Sequence, residues 1–482
     1  MTRPERIIPP PARNMSAEEL QAKAELARSA ASAWRRYSLS DRVSLIRQFW
    51  EGIRLGHDEL ARIIEDEIGR PPLETQMLEL SGADILVRYY CANAHRILQE
   101  HPVWRPWLFL NKRAYVRYHP YGLIGLITPW NFPFILAATD AVAAMLAGNA
   151  VLIKPSEHVW RTAVWLENKA RSSGLFPEGL ISVALGDGSA GNFTVSQADM
   201  IVFTGSPGVG REVASHAAAR LKPAVLELGG KHPMIVLEDA PLERAARAAV
   251  WGAFANSGQL CIGVERAFVH ESVYQTFTEA VRKGLQALRQ SLKGRERDLG
   301  RLALKPQLER IKDQLEDARS KGARVIGGEI LDEENLMMAP ALVLEATPDM
   351  KLMHDETFGP VLPVMKIGRA EEGLRLANLS PLGLSASIWS SDLSKAESLA
   401  ASVEAGMVSV NDLVTHYSIA TLPFGGIKGS GLGRRHGDEG LRMFCWQQSV
   451  CVHEWPSQSP DLWWFPYDAF KAKILRWVSG WA

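Results

Sequence analysis

With 482 residues, 46% of them apolar and 22% charged, the chain has the composition of a folded globular protein of about three structural units, which excludes disorder. Lys plus Arg and Asp plus Glu each number 54, and this zero net charge argues against a nucleic-acid binder, which carries a basic surplus. The cysteines, Cys91, Cys261, Cys445 and Cys451, are too sparse for a disulfide scaffold and none has C-x-x-C spacing, so a reducing, cytoplasmic setting is expected.

The N-terminal MTRPERIIPPPARN lacks the apolar core of a signal peptide, and residues 15–100 read as helical. Ser16 followed by Glu19 is a capping-box pattern, and Gly69 with Pro71 ends one amphipathic segment. From about 108 to 118 the pattern turns extended, with FLNKRAYVRYH (109–119) alternating aromatic and basic side chains with a period of two, which predicts a ribbon or edge strand. The nearly uncharged stretch 120–153 is broken by Pro129, Pro133, Asp140 and Asn149, so it reads as buried core and not as a membrane span. Short apolar runs at 122–128, 150–155, 200–206, 224–230 and 233–238 alternate with helical stretches such as 139–146 and 210–220. That alternation predicts a parallel, doubly wound α/β sheet. A second α/β set starts near Asp239 with a helix over 241–256 and continues through 265–270, 324–328 and 408–411. The tail, 456–482, carries Trp463, Trp464, Trp477 and Trp481 among Lys471, Lys473 and Arg476. Its DAFKAKILRWVSGW predicts a basic amphipathic helix, read either as an arm on a neighbouring subunit or lobe, or as a membrane-surface helix or lid.

Several residues along this path have the character of a chemical site. Cys261, in NSGQLCIG, is bracketed by Gly258 and Gly263. It is either a small buried hydrophobe or a nucleophile presented at a turn whose N–H groups can hold an oxyanion. Glu227, in LELGGK, is an acid at an apolar strand end, either paired with a base or a general base raised by burial. Asn131 sits between Pro129 and Pro133, where its amide either satisfies loop carbonyls or polarises a substrate carbonyl. The turn FTGSPGVG (203–210) follows a strand and opens a helix, a place where backbone N–H groups face phosphate. Lys154 and Glu157 add a cation and a carboxylate at a neighbouring strand end, where a carboxylate accepts from ribose hydroxyls. No histidine falls in H-E-x-x-H and no Cys/His group has metal spacing, so no metal is expected.

In chain order PWNFP, GNAVLIKPSE, FTGSPGVG, LELGGKHP, GQLC, ETFGP and PFGGIKGSGLGR resemble the NAD(P)-dependent aldehyde dehydrogenase superfamily over residues 15–455. The resemblance implies Cys261 as nucleophile, Glu227 as general base and Asn131 as the side-chain donor of the oxyanion hole. It implies cofactor contacts at Ile127, Trp130, Lys154, Glu157, Gly205, Ser206, Gly210, Glu356 and Phe358, with NAD preferred and NADP possible. The fold implied has two doubly wound α/β domains and a β-ribbon oligomerisation arm. The cofactor-binding domain would take 1–107 and 121–228, the catalytic domain 229–440, the arm 108–120 and 441–455, and the Trp-rich extension 456–482. A homodimer or tetramer is implied, acting on a small-molecule aldehyde, with the tail as a candidate membrane-surface contact. Apolar Leu260 and Ile262 beside the nucleophile favour a hydrophobic aldehyde. Two alternatives stand beside this reading: a CoA-acylating dehydrogenase, against which Glu227 argues, and a catalytically silent membrane- or partner-binding protein.

Overall fold

The computed structural model describes residues 8–291, 297–454 and 461–480. Two compact units separate, Met1–Leu98 with His119–Trp446, and Gln99–Tyr118 with Gln447–Ala482.

In the larger unit the N-terminal region is helical, as its capping signals indicate. Ser16 Oγ accepts the Glu19 N–H at 3.2 Å while the Glu19 carboxylate accepts the Ser16 N–H at 2.8 Å, and the helix Ala17–Trp34 follows. The helix His57–Ile68 stops at Gly69, which is left-handed with φ 73°. A Cβ there would stand 2.3 Å from Arg301 Cγ, so only glycine fits this stop. Before the helix Gly82–Leu98 the chain takes one wide π-helical turn, Gln76–Ser81, of the kind that re-aims side chains next to functional sites.

Two large sheets follow. The first runs in the order Gly431–Leu432, Ala224–Glu227, Met200–Thr204, Leu123–Ile127, Ala150–Lys154, Ile181–Val183. It is parallel except for Gly431–Leu432, which pairs antiparallel with Ala224–Glu227. From Leu123–Ile127 the chain first builds outward on one side, then crosses to build on the other. The order therefore reverses between Leu123–Ile127 and Met200–Thr204, whose ends meet as Ile127 opposite Phe203. Such a switch point opens a crevice beyond the carboxyl ends of the strands. The second sheet has the order Arg324–Gly327, Ala341–Leu344, Val361–Ile367, Arg266–His270, Pro233–Val236, Ser385–Trp389, Met407–Val410. Only Arg324–Gly327 pairs antiparallel there. Strands buried on both faces need apolar runs, which is why those within 122–128, 150–155, 200–206, 224–230 and 233–238 read as short hydrophobic stretches, whereas Ile181–Val183, Ala341–Leu344, Val361–Ile367 and Ser385–Trp389 were not read from the sequence.

The helix expected at 139–146 is Ile135–Ala147, and all 13 of its residues are buried. It starts earlier because its free N–H groups are capped from a distant segment. Glu79 Oε2 accepts from Phe134 N at 2.9 Å and from Ile135 N at 2.8 Å. The helix expected at 210–220 is Pro207–Ala218, with Ser206 as N-cap and Pro207 in its first turn. The helix expected at 241–256 is Leu242–Phe254, since Asn256 and Ser257 turn left-handed.

The smaller unit is built on a three-stranded sheet in the order His101–Pro102, Lys112–Pro120, Cys445–His453. The strand expected from 108 begins only at Lys112, because Trp107–Phe109 form a 3-10 turn after Pro106. The tail helix is Ala469–Ser479, with Asp468 as N-cap. Residues 456–460 of the tail, Trp481 and the last expected ribbon residue, Trp455, lie outside the described residues. Among the described residues no helix is long and apolar enough to cross a membrane.

Candidate active site

Cys261 follows a run of three left-handed residues, Asn256 (φ 51°), Ser257 (φ 55°) and Gly258 (φ 73°). Two of these carry a Cβ, and each such residue costs on the order of 1–3 kcal/mol, so the surroundings must hold the turn in place. They do so with hydrogen bonds. The Asn256 N–H donates to Glu74 Oε1 at 2.6 Å, and Asn256 Oδ1 accepts from Arg70 Nε at 3.0 Å. Asn256 Nδ2 donates to the carbonyls of Asn131 (3.2 Å) and Gln259 (3.0 Å). Gln259 Nε2 returns a bond to the Asn256 carbonyl at 2.9 Å, and its Oε1 accepts from Ala303 N at 2.8 Å.

Asn131 belongs to the same lattice. Its Nδ2 donates to the Gln259 carbonyl at 3.0 Å, two residues before the cysteine, and its own carbonyl accepts from Arg70 Nη2. Arg70 forms a fully buried pair with Glu79 at 2.6 Å, and Glu79 is the carboxylate that caps the helix Ile135–Ala147. One buried cation thus ties together the Asn131 loop, the cysteine turn and a helix start. Breaking such a pair from one side leaves an uncompensated charge and costs about 3–5 kcal/mol. Arg70, Glu79 and Asn256 were missed as site residues from the sequence. The sequence carried one cue, a charged residue inside an apolar run (Glu79 in MLELS).

Glu227 ends the strand Ala224–Glu227 and faces the pocket that Cys261 also lines, together with Phe132, Leu260, Ile262 and Phe424. Neither of its carboxylate oxygens has a hydrogen-bond partner. Burial pushes its pKa up to about 8, against the opposing pull of Arg435 and Arg434. Cys261 keeps partial exposure in this pocket. Burial, then the carboxylates of Glu356 and Glu227, raise its thiol to about 12, opposed by the N–H groups of Ile262 and Cys261 itself. Gly425 leaves room for the base: a Cβ there would stand 2.9 Å from Glu227 Oε1. Arg435 is the one Lys or Arg lining the pocket among the described residues, and it is engaged, with Asp140 at 3.2 Å and Thr204 Oγ1 at 2.6 Å. Tyr417 lines the pocket as well, with its hydroxyl buried and unpartnered, and sequence reasoning gave no signal for it.

The residues expected to hold a cofactor gather at the switch-point crevice and on its far wall. Ile127 closes its strand opposite Lys154 and Phe203, and Lys154 Nζ lies 3.4 Å from Glu157 Oε2. Gly205 donates its N–H to the Glu227 carbonyl at 3.0 Å, and Ser206 Oγ accepts from Val209 N at 3.5 Å to start the helix Pro207–Ala218. Gly210 lets that helix close on the sheet, since a Cβ would come 2.4 Å from Leu228 Cδ2, whereas Gly208 faces open space. From the second sheet's side, Glu356 Oε1 accepts the Gly230 N–H at 2.9 Å, and burial followed by the Glu265 charge raises Glu356 to about 7. Phe358 meets Trp130 edge-on at 5.4 Å, with its N–H and that of Thr357 held by Glu265 at 2.9 Å each. A helix N-terminus for phosphate, a Lys/carboxylate pair for ribose and an aromatic pair beside a buried carboxylate fit a nicotinamide dinucleotide. The Lys154–Glu157 pair makes no contact with the Cys261 pocket.

The model of the aldehyde dehydrogenase family matches residues 11–450. A 4,4'-diapolycopene aldehyde oxidase from Methylomonas sp is 37% identical over 453 residues, covering 93% of this chain and 84% of its own. An NAD-dependent aldehyde dehydrogenase from Sinorhizobium meliloti superposes with TM-score 0.87 at 32% identity, covering 94% of this chain and 89% of that one. An NADP-dependent enzyme from E. coli superposes with TM-score 0.86 at 29% identity, covering 91% of each chain.

Proposed function

The chain belongs to the aldehyde dehydrogenase family, and from that premise we propose that it oxidises an apolar aldehyde to the carboxylic acid with NAD, or NADP, as hydride acceptor. The observation that carries this reading is the pairing, in one apolar pocket, of a thiol at Cys261 with the unpartnered carboxyl of Glu227. Relatives named as NAD-dependent and NADP-dependent support the choice of cofactor class.

The chemistry follows from what each group can do. The Cys261 thiol, raised by burial, is protonated at neutral pH, so its addition to a carbonyl needs a base to take the proton as the C–S bond forms; the Glu227 carboxyl serves in its ionised form, whose share grows as pH rises towards about 8. The oxyanion that results takes hydrogen bonds from the Asn131 amide and the Cys261 N–H. A bound dinucleotide would supply the hydride acceptor, and with hydride lost from the former carbonyl carbon a thioester would remain on Sγ. Glu227 passes the thiol's proton to solvent; its regenerated carboxylate then removes a proton from water as that water attacks the thioester, and this proton goes to the departing sulfur, releasing the acid and returning the thiol. Lys154, Glu157, Ile127, Gly205, Ser206 and Gly210 hold the cofactor's adenosine and phosphate end, and Trp130, Glu356 and Phe358 its nicotinamide end.

The pocket walls support an apolar substrate class. A free carboxylate on the substrate would enter an apolar space whose cation, Arg435, is already committed to Asp140 and Thr204. An unpaired buried charge is costly, so an acidic semialdehyde is disfavoured and an apolar chain is accepted. The test is aldehyde-dependent formation of NADH or NADPH in the full chain and in Cys261→Ala. Loss of turnover by about 10⁴-fold or more in the variant is expected. Wild-type turnover in Cys261→Ala would contradict the assignment, and acyl-CoA formed on addition of CoA would contradict hydrolysis as the final step.

A further inference from the structure

In the smaller unit a set of large rings stands in solvent. Trp104 is 86% exposed, Phe465 78%, Phe470 70% and Trp477 59%, and Trp107, Trp464 and Tyr467 are exposed beside them in the sequence. Single exposed apolar residues need no explanation, but a contiguous aromatic set does. Ring contacts join several of them in pairs: Trp107 meets Trp477 edge-on at 6.2 Å and Phe465 meets Tyr467 at 4.6 Å, while Phe109 meets Trp463 at 5.2 Å.

The helix Ala469–Ser479 organises this surface. With 3.6 residues per turn, Phe470, Ile474, Trp477 and Val478 form one stripe, Lys471 and Lys473 flank it on its two sides, and Arg476 lies beyond Lys473. Asp461 is paired with Lys112 at 2.8 Å, Asp468 caps the helix, and Lys471 Nζ donates to the carbonyls of Trp464 and Pro466 at 2.8 and 2.9 Å. Lys471, Lys473 and Arg476 against Asp461 and Asp468 leave residues 461–480 with a net positive charge.

We propose that this aromatic and cationic face docks on the surface of an anionic lipid bilayer, with the rings at headgroup depth, Lys473 on lipid phosphate, and the charges of Lys471 and Arg476 adding to the attraction. The composition fits that partner specifically. Tryptophan and tyrosine settle where one end of the ring is apolar and the other wet, and flanking lysines extend from an apolar stripe to phosphate. A second protein chain on the same face would have to desolvate the lysines beside the rings, and lysine is depleted at the cores of protein interfaces. Spanning is excluded by length, since the helix has 11 residues and a bilayer core needs about 20. The proposal does not depend on the chemistry at Cys261.

Flotation of the full chain with vesicles tests it. The chain is expected to bind vesicles containing about 30% phosphatidylglycerol at least about tenfold better than pure phosphatidylcholine, and less as salt rises. The pair Phe470→Ser and Trp477→Ser should lose about tenfold or more of that binding while turnover of a short, water-soluble aldehyde is kept. Lys473→Glu, which leaves the rings in place, should weaken binding to the anionic vesicles alone. Absence of flotation with either lipid, or unchanged binding by both variants, would overturn the proposal. So would a fall in native mass of the ring variant without any vesicle binding by the parent chain, which would assign the face to a second copy.

Discussion

Glu227 and Glu79 occupy the same tripeptide, Leu-Glu-Leu, and both are buried, yet they do opposite things. Glu79 is satisfied by Arg70 and by two helix N–H groups, so it contributes to folding. Glu227 has no hydrogen-bond partner among the described residues, and the protein carries the desolvation cost of that buried carboxyl, which the proposed role as base accounts for. Two predictions separate them. Glu79→Ala strands the Arg70 charge and uncaps a buried helix, so it should lower stability by about 3–5 kcal/mol in denaturant titrations. Glu227→Gln should do the reverse. Its acid titrates at 4.5 in the unfolded chain and at about 8 in the folded one, so the native state holds the extra proton and stability falls as pH rises across that window. The glutamine variant therefore gains thermal midpoint over the parent, more at pH 8.5 than at pH 5, and an equal gain at both would be evidence against the raised pKa. The apolar flanks marked Glu227 in the sequence but left open whether it was paired, and Glu79 between the same flanks was missed, because the partners lie in other segments.

The turn that presents Cys261 is specified by contacts from several segments. Its glycines and Gln259 were visible in the sequence as a turn, and its place after a helix was legible. The left-handed run at Asn256 and Ser257 was not, since neither residue type demands that conformation. What imposes it is the set of bonds from Glu74, Arg70 and Asn131, each remote in sequence. Gly258→Ala should then be among the most damaging single changes. A Cβ would stand 2.0 Å from the Gly359 carbonyl oxygen in a left-handed position, so soluble yield and turnover should both collapse. Gly210→Ala is milder, because the group in the way is the end of the flexible Leu228 side chain. It should raise the cofactor KM by about tenfold with the fold kept, equivalent to about 1.4 kcal/mol. An unchanged KM would show that the helix Pro207–Ala218 can shift without cost to the cofactor.

Across the whole molecule, alternation of short apolar runs with helices was enough to read one doubly wound sheet and a second α/β set, because parallel strands covered on both faces have to be continuously apolar; that both are doubly wound came with the family resemblance. Strand order was not readable from that pattern. The pairing of Gly431–Leu432 with Ala224–Glu227 returns the chain near its end to the strand that carries the base, and no local signal announces it. This return fixes the pocket from both sides and leaves its lining apolar, with Arg435 already paired. A panel of aldehydes should therefore give kcat/KM values that rise with apolar chain length and lie about 100-fold or more lower for an acidic semialdehyde, a difference of about 2.7 kcal/mol. A preference for the acidic substrate would place a free cation where none of the described residues supplies one. The central claim, a covalent acyl group on Cys261 released by Glu227, is tested most directly by mass spectrometry of Glu227→Gln quenched after mixing with a medium-chain aldehyde and NAD. The account predicts one burst of NADH per site and an acyl mass on the peptide carrying Cys261 that decays about 10²-fold or more slower than in the parent. Steady turnover with no acyl mass on that peptide would contradict it.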